Sequence, residues 1–161
     1  MAQPCRSGII SDNASPTQHQ QKQETPRFLK PEIFGDSCAL YLSEKMNASG
    51  FVNEVGTAKR GSYFKELLTK EFSRDVVNII WSGNNDPNDI NESLRTLKEK
   101  LVGNRVLIII STYLLTRLVD PFTNVFGKHN VLKVSCKRLH PSVEEVETII
   151  KQIVSKLSCE L

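Results

Sequence analysis

Four residues in distant parts of the chain have the types needed for nucleophilic chemistry. Ser37 follows a Gly-Asp pair, Asn85 lies inside a Gly-Asn-Asn-Asp run, His140 precedes a proline, and Gly61 precedes a predicted helix. A serine hydroxyl at the start of a helix can attack an electrophilic centre, and an imidazole can take its proton. Backbone amides beside a glycine, together with an asparagine amide, can bind the oxyanion that forms. This set of residue types indicates covalent catalysis if the fold brings its members together.

Short apolar runs alternate with amphipathic segments and predict the elements that would position these residues. The run 106–110 is wholly apolar and mostly β-branched, which is typical of a strand buried on both faces. The segment 89–101 carries an apolar residue every three or four positions, which predicts a helix. We predict strands at 28–34, 51–55, 76–81, 106–110 and 131–134. We predict helices at 39–46, 62–72, 89–101 and 141–157, and loops over 111–130.

This alternation predicts an α/β fold, a three-layer α/β/α sandwich with a parallel sheet of about five strands. In such sheets ligands bind at the carboxyl ends of the strands, which meet at one edge. Ser37, Gly61, Asn85 and His140 each follow a predicted strand, so we expect them to converge there. Residues 1–27 are polar and rich in Gln, Ser and Pro, which predicts a disordered tail ahead of one domain at 28–161.

The same residues lie in motifs that resemble those of the SGNH (GDSL-type) hydrolase family. Residues 35–37 read Gly-Asp-Ser and resemble the first block, and 83–86 resemble the GxND of the third block. Residues 140–142 read His-Pro-Ser and resemble the fifth block. The second block is a glycine, for which Gly61 fits best and Gly56 is the alternative. The resemblance runs over residues 31–157, close to the whole of the predicted domain.

The resemblance implies a flavodoxin-like fold and a role for each residue. Ser37 would be the nucleophile and His140 the general base, while Gly61, Asn85 and the Ser37 backbone amide would form an oxyanion hole. The family uses no metal and no organic cofactor. Its members hydrolyse esters, thioesters, acetylated sugars or lipids, so we expect a serine esterase or acyl hydrolase acting on a small ester or acylated substrate.

Position 137 departs from the family pattern. The family has an aspartate three residues before the histidine, and this chain has Lys137 there. Without that carboxylate the imidazole tautomer is not fixed, which slows such enzymes. The chain is then expected to use a Ser–His dyad, or to be a catalytically inactive SGNH-like domain that binds a partner. A third alternative is an unrelated Rossmann-like interaction module, although neither GxxxxGK[ST] nor GxGxxG occurs.

Each candidate residue also has a simpler interpretation. Ser37 can cap the helix that follows it, and Gly61 can be a flexible residue ahead of its helix. Asn85 lies in a run rich in turn-forming residues, and His140 can be an exposed residue before a proline.

Composition excludes several classes of partner. The net charge of +3, from 21 basic and 18 acidic residues, is too small to indicate nucleic acid or an anionic membrane surface. The longest apolar run is too short to span a bilayer, and the amino terminus has no apolar core of a signal peptide. The four cysteines form no CxxC pair, and Cys136 with His140 lacks a second ligand pair. We therefore expect no metal site and an intracellular, cytoplasmic protein with free thiols.

Overall fold

A parallel β-sheet lies at the centre of the chain in the computed structural model, which describes residues 31–48, 58–86 and 90–159. Over these residues the sheet has four strands in the order β1-β2-β3-β4. They are β1 Glu32–Gly35, β2 Val77–Trp81, β3 Arg105–Ser111 and β4 Val131–Val134. Gly35 at the carboxyl end of β1 is paired with Trp81 at the end of β2, so both strands end at the same edge.

Helices connect these strands and pack against the sheet. The α-helices are α1 Ser37–Ala48, α2 Asn91–Lys100, α3 Leu115–Phe126 and α4 Val143–Cys159. Short 3₁₀ helices span Phe64–Thr69, Thr112–Leu114 and Lys128–Asn130. No helix in the part of the chain that the structure describes is both long enough and apolar enough to cross a bilayer.

The sheet separates two apolar cores. Ile79 of β2 packs with α1 and α4 on one face, while its neighbour Ile80 packs with α2 and α3 on the other. This alternation follows from the strand geometry, in which successive side chains point to opposite faces. The predicted three-layer α/β/α fold with a parallel sheet is therefore confirmed, and β3 is buried on both faces as its composition predicts.

The structure differs from the predictions in two helical segments. Residues 111–130, predicted as loops, contain α3, whose Phe122 and Phe126 are buried in the second core. Pro121 inside this helix argues against a helix at the sequence level, and the apolar pair spaced by four outweighs it. The helix predicted at 62–72 is the shorter 3₁₀ helix Phe64–Thr69, whose N-cap residue is Tyr63.

Other predicted elements agree with the structure to within a few residues. The strand at 131–134 is confirmed at both ends, and α4 begins two residues later than the predicted helix. The strand predicted at 51–55, residue Gly56 and the tail at 1–27 lie outside the described residues.

Candidate functional site

The turn between β1 and α1 places Ser37 at the carboxyl edge of the sheet. Ser37 is the first residue of α1, two positions after the last residue of β1. Gly35 has a φ of +144°, and a Cβ at this position would collide with the carbonyl group of Trp81. Asp36 N donates to that same carbonyl oxygen at 3.2 Å, which holds the turn against β2. Glycine is required here because the backbone of two strands approaches so closely.

His140 lies beside Ser37 although the two residues are 103 positions apart in the sequence. The distance between Ser37 Oγ and His140 Nε2 is 2.8 Å, which is a short hydrogen bond. His140 is exposed and lies in the loop between β4 and α4. Within the described residues no carboxylate accepts a hydrogen bond from its ring. The pair is therefore a hydrogen-bonded hydroxyl and imidazole without a third member there.

Lys137 occupies the position where the SGNH family has aspartate, and its backbone amide hydrogen-bonds to a residue in the first turn of α4. Lys137 N donates to Glu145 Oε2 at 3.1 Å, and Ser142 N donates to Glu145 Oε1 at 2.8 Å. Glu145 N donates in return to Ser142 Oγ at 3.1 Å, which completes a capping box. These hydrogen bonds lower the pKa of Glu145. They hold the loop that carries His140 at positions on both sides of that residue, Lys137 and Ser142.

A second contact joins this loop to α1. Cys38 Sγ donates to the carbonyl oxygen of Leu139 at 3.1 Å. Cys38 is buried and follows Ser37, while Leu139 precedes His140. Two consecutive residues of α1 therefore contact two consecutive residues of the loop.

Asp36 is a buried carboxylate beside the predicted site residues. Its Oδ1 accepts from Cys38 N at 3.0 Å, and its Oδ2 accepts from Asn84 Nδ2 at 2.9 Å. Burial raises the pKa of Asp36, although the hydrogen bonds from Cys38 and Asn84 act in the opposite direction. No sequence signal distinguishes this aspartate from a turn residue, because its burial results from the docking of the 83–86 loop.

The predicted oxyanion donors, Gly61 and Asn85, lie in loops that contact each other near β1. Asn85 Nδ2 donates to the carbonyl oxygen of Ser62 at 3.1 Å, and Ser62 Oγ donates to the carbonyl oxygen of Gly35 at 3.0 Å. Gly61 is exposed in a turn with a φ of +72°. Asp86 braces this region, since its carboxylate accepts from Phe64 N at 2.9 and 3.2 Å.

A small cavity of about 180 Å³ opens beside the Ser37–His140 pair. The described residues that line it are Ser37, Leu40, Tyr41, Glu44, Arg60, His140 and Pro141. Gly61 and Asn85 are not among them. Arg60 and Glu44 give the walls both signs of charge, and Tyr41 and Leu40 supply an apolar side. The cavity is smaller than those that bury drug-sized ligands, so it suits a small group.

Over the residues described, no three His, Cys, Asp or Glu side chains are grouped closely enough to hold a metal ion. Cys38 and Cys136 are free buried thiols. Burial raises the pKa of both thiols, which keeps them protonated and poor metal ligands.

Comparison with known proteins finds similarity in fold. No protein-family model matches the chain, and no curated protein matches it. One similar solved structure is described as "a putative platelet activating factor from Streptococcus pneumonia", with a TM-score of 0.53 and 13% identity over 86% of this chain and 90% of that one. Another is the sugar isomerase domain of an RpiR transcription factor from Sphaerobacter thermophilus, with a TM-score of 0.47 and 13% identity over 82% and 71%.

These comparisons correct the function predicted from the sequence. The similar structure with a TM-score of 0.53 is described as a putative platelet activating factor and not as a serine esterase. The prediction of a serine esterase or acyl hydrolase, and its alternative of an inactive SGNH-like binding module, are therefore wrong. The esterase prediction depended on family motifs, and the oxyanion-donor role carried over from them to Gly61 and Asn85 stays a prediction. The resemblance of the motifs to the SGNH family stays a prediction.

Proposed function

We propose that Ser37 is a nucleophile that takes a group from a small electrophilic ligand, with His140 as its base. The observation that carries this proposal is the 2.8 Å distance between Ser37 Oγ and His140 Nε2. A nucleophile and base within hydrogen-bond reach are the minimum for such a step. The proposal concerns transfer of a group onto Ser37 and assigns no ester substrate and no hydrolysis.

The proposed step needs only Ser37, His140 and the ligand to account for every bond formed or broken and for the proton. Ser37 Oγ forms a bond to the electrophilic centre as its proton passes to His140 Nε2. The bond between that centre and its leaving group then breaks, and the imidazolium returns the proton to the leaving group. Reversal of these events, with a second molecule as acceptor, would free Ser37 again.

The position of Ser37 supports this role because α1 begins there. The dipole of a helix favours negative charge near its first turn, and in the first turn of α1 the Cys38 amide is already paired with Asp36 Oδ1. Charge that develops during attack by Ser37 would lie near that end of α1. Donation from Gly61 or Asn85 to the same charge stays a prediction, since Asn85 directs one N–H to Ser62 and retains a second hydrogen.

The volume of the cavity beside Ser37 favours a small ligand. Its volume of about 180 Å³ leaves room for a short group beside Ser37, with the rest of a larger molecule outside. Arg60 and Glu44 can contact polar or charged groups of either sign. His140 has no carboxylate partner within the part of the chain that the structure describes, and such a pair is expected to react slowly compared with a full triad.

Labelling with a fluorophosphonate probe tests the proposal. The probe bonds covalently to activated serines, and mass spectrometry of peptides locates the adduct. We expect an adduct on Ser37 in the natural sequence and none in Ser37→Ala. Ser43→Ala is the matched control, because Ser43 lies in the same helix and its hydroxyl donates to Leu40 within that helix. An unlabelled natural protein, or a Ser37→Ala variant that keeps the label, would refute the proposal.

A further inference from the structure

We propose that Cys38 is a positioning residue that holds the His140 loop in register with Ser37. This inference rests on the proposed function of the Ser37–His140 pair. Its basis is the 3.1 Å hydrogen bond from Cys38 Sγ to the carbonyl oxygen of Leu139. The bond lies next to the 2.8 Å contact between Ser37 and His140 and crosses the same boundary between α1 and the loop.

The thiol of Cys38 is suited to act as a fixed donor. Cys38 is 1% exposed and packs in the core between the sheet, α1 and α4. Burial, and in second place the nearby Asp36 carboxylate, raise the pKa of Cys38, so its sulfur keeps its proton. A thiolate would have no hydrogen to offer the Leu139 carbonyl. The buried site therefore keeps the sulfur in the form that can donate.

Among the described residues, Cys38 Sγ is a side-chain donor from α1 to the backbone of the loop directly beside His140. The Glu145 carboxylate of α4 also holds this loop, because it accepts from the backbone amides of Lys137 and Ser142, which flank His140 in the sequence. His140 is exposed, so core packing does not fix its ring. Cys38 supplies a contact to the adjacent residue from the helix that carries the nucleophile. A small shift of that backbone would lengthen the Ser37–His140 distance directly.

Two kinds of substitution at Cys38 distinguish the effect of its hydrogen bond from the effect of its packing in the core. Cys38→Ser keeps a side-chain donor at the same position, whereas Cys38→Ala removes it. Cys38→Val removes the donor and nearly preserves the volume, so it remains informative if Cys38→Ala folds poorly. We expect Cys38→Ala and Cys38→Val to lower the rate of Ser37 labelling by about tenfold, because sub-ångström misplacement of a base costs rate steeply. We expect Cys38→Ser to stay within about twofold of the natural protein.

Nuclear magnetic resonance of the His140 ring provides a readout that does not depend on reactivity. The ring nitrogen shifts report the hydrogen bond to Ser37, and the His140 signals are assigned by their loss in His140→Gln. We expect the shifts to move toward those of a free imidazole in Cys38→Ala and Cys38→Val, and to remain near natural values in Cys38→Ser. Met46→Ala is the control for lost stability, because Met46 is buried at the other end of α1.

The outcomes distinguish this inference from the proposed function. Natural His140 shifts and labelling rates in both donor-free variants would overturn the positioning role. Equal losses in Cys38→Ser and Cys38→Val would also overturn it, because packing would then explain the effect. If the natural protein is not labelled but the His140 shifts follow the presence of the donor, the positioning role holds and the proposed nucleophile fails.

Discussion

Asn84 donates two hydrogen bonds to the Asp36 carboxylate, one from its side-chain amide at 2.9 Å and one from its backbone amide at 3.3 Å. This contact joins the turn after β1 to the loop after β2. The carboxylate is fully buried, so each donor compensates part of the cost of removing charge from water. The two loops at the carboxyl edge of the sheet are therefore coupled below the surface that a ligand would contact.

Removing the Asn84 side chain is expected to weaken this coupling. Asn84→Ala leaves a buried carboxylate with one donor fewer, which should cost about 1–3 kcal/mol of unfolding free energy. It should also raise the pKa of Asp36 further, since the Asn84 hydrogen bonds lower it in the natural protein. Urea denaturation measures the free energy of unfolding, and the pH dependence of the Asp36 carboxyl carbon shift in nuclear magnetic resonance measures the pKa. Asn124→Ala, at an exposed position of α3, is the control and should change neither.

Gly35→Ala is expected to destabilise the protein by about 3 kcal/mol or more, because it combines a disfavoured φ with a backbone collision. The new Cβ would meet the Trp81 carbonyl, which cannot move without disturbing β2. Gly127→Ala is the matched control, since Gly127 has a φ of +88° but open space where a Cβ would lie. It should cost about 1–2 kcal/mol from the backbone conformation alone. Equal urea midpoints for the two variants would contradict the collision argument.

Glu145 is expected to make stability depend on pH. The pKa of Glu145 is lowered in the folded protein, so its contribution is fully present above the unfolded value of 4.5 and is lost as pH falls through the folded value. Glu145→Gln should therefore be less stable than the natural protein at pH 7, and the difference should shrink below pH 4.5. Denaturation midpoints from pH 3 to pH 7 test this, with Glu144→Gln in the same turn as control. A constant difference across that range would rule out the linkage.

Substitution of His140 is expected to slow labelling of Ser37 by about 10²- to 10⁴-fold, the usual contribution of a general base. The measurement is the rate of adduct formation with the fluorophosphonate probe at fixed pH. His129→Ala is the control, because His129 is exposed in the 3₁₀ helix Lys128–Asn130. Labelling of His140→Ala at the natural rate would show that Ser37 reacts without the imidazole.

The strands and the layered fold could be predicted because apolar runs carry a strong local signal. β3 is buried along both faces, and its composition alone indicates a central parallel strand. Helix α3 lies in residues 111–130, which were predicted as loops. Pro121 inside this helix is a residue that usually ends a helix, and the apolar residues around it pack against the sheet only in the folded chain. A local sequence pattern does not show burial that arises from contacts with distant parts of the chain.

The site was predictable in its residue types but not in its supporting contacts. Ser37 and His140 stand in short motifs that can be seen in the printed sequence. The Cys38–Leu139 and Asp36–Asn84 hydrogen bonds join residues 101 and 48 positions apart, and no spacing rule connects them. The esterase assignment failed at a further level, since shared motifs and a shared architecture do not determine a reaction.

The 103 positions between Ser37 and His140 make their meeting a product of folding alone. An unfolded chain closes so long a loop only rarely, because closure carries an entropic cost. Nucleophilic reactivity at position 37 should consequently disappear in step with global unfolding, and a fragment that ends before β4 should lack it entirely.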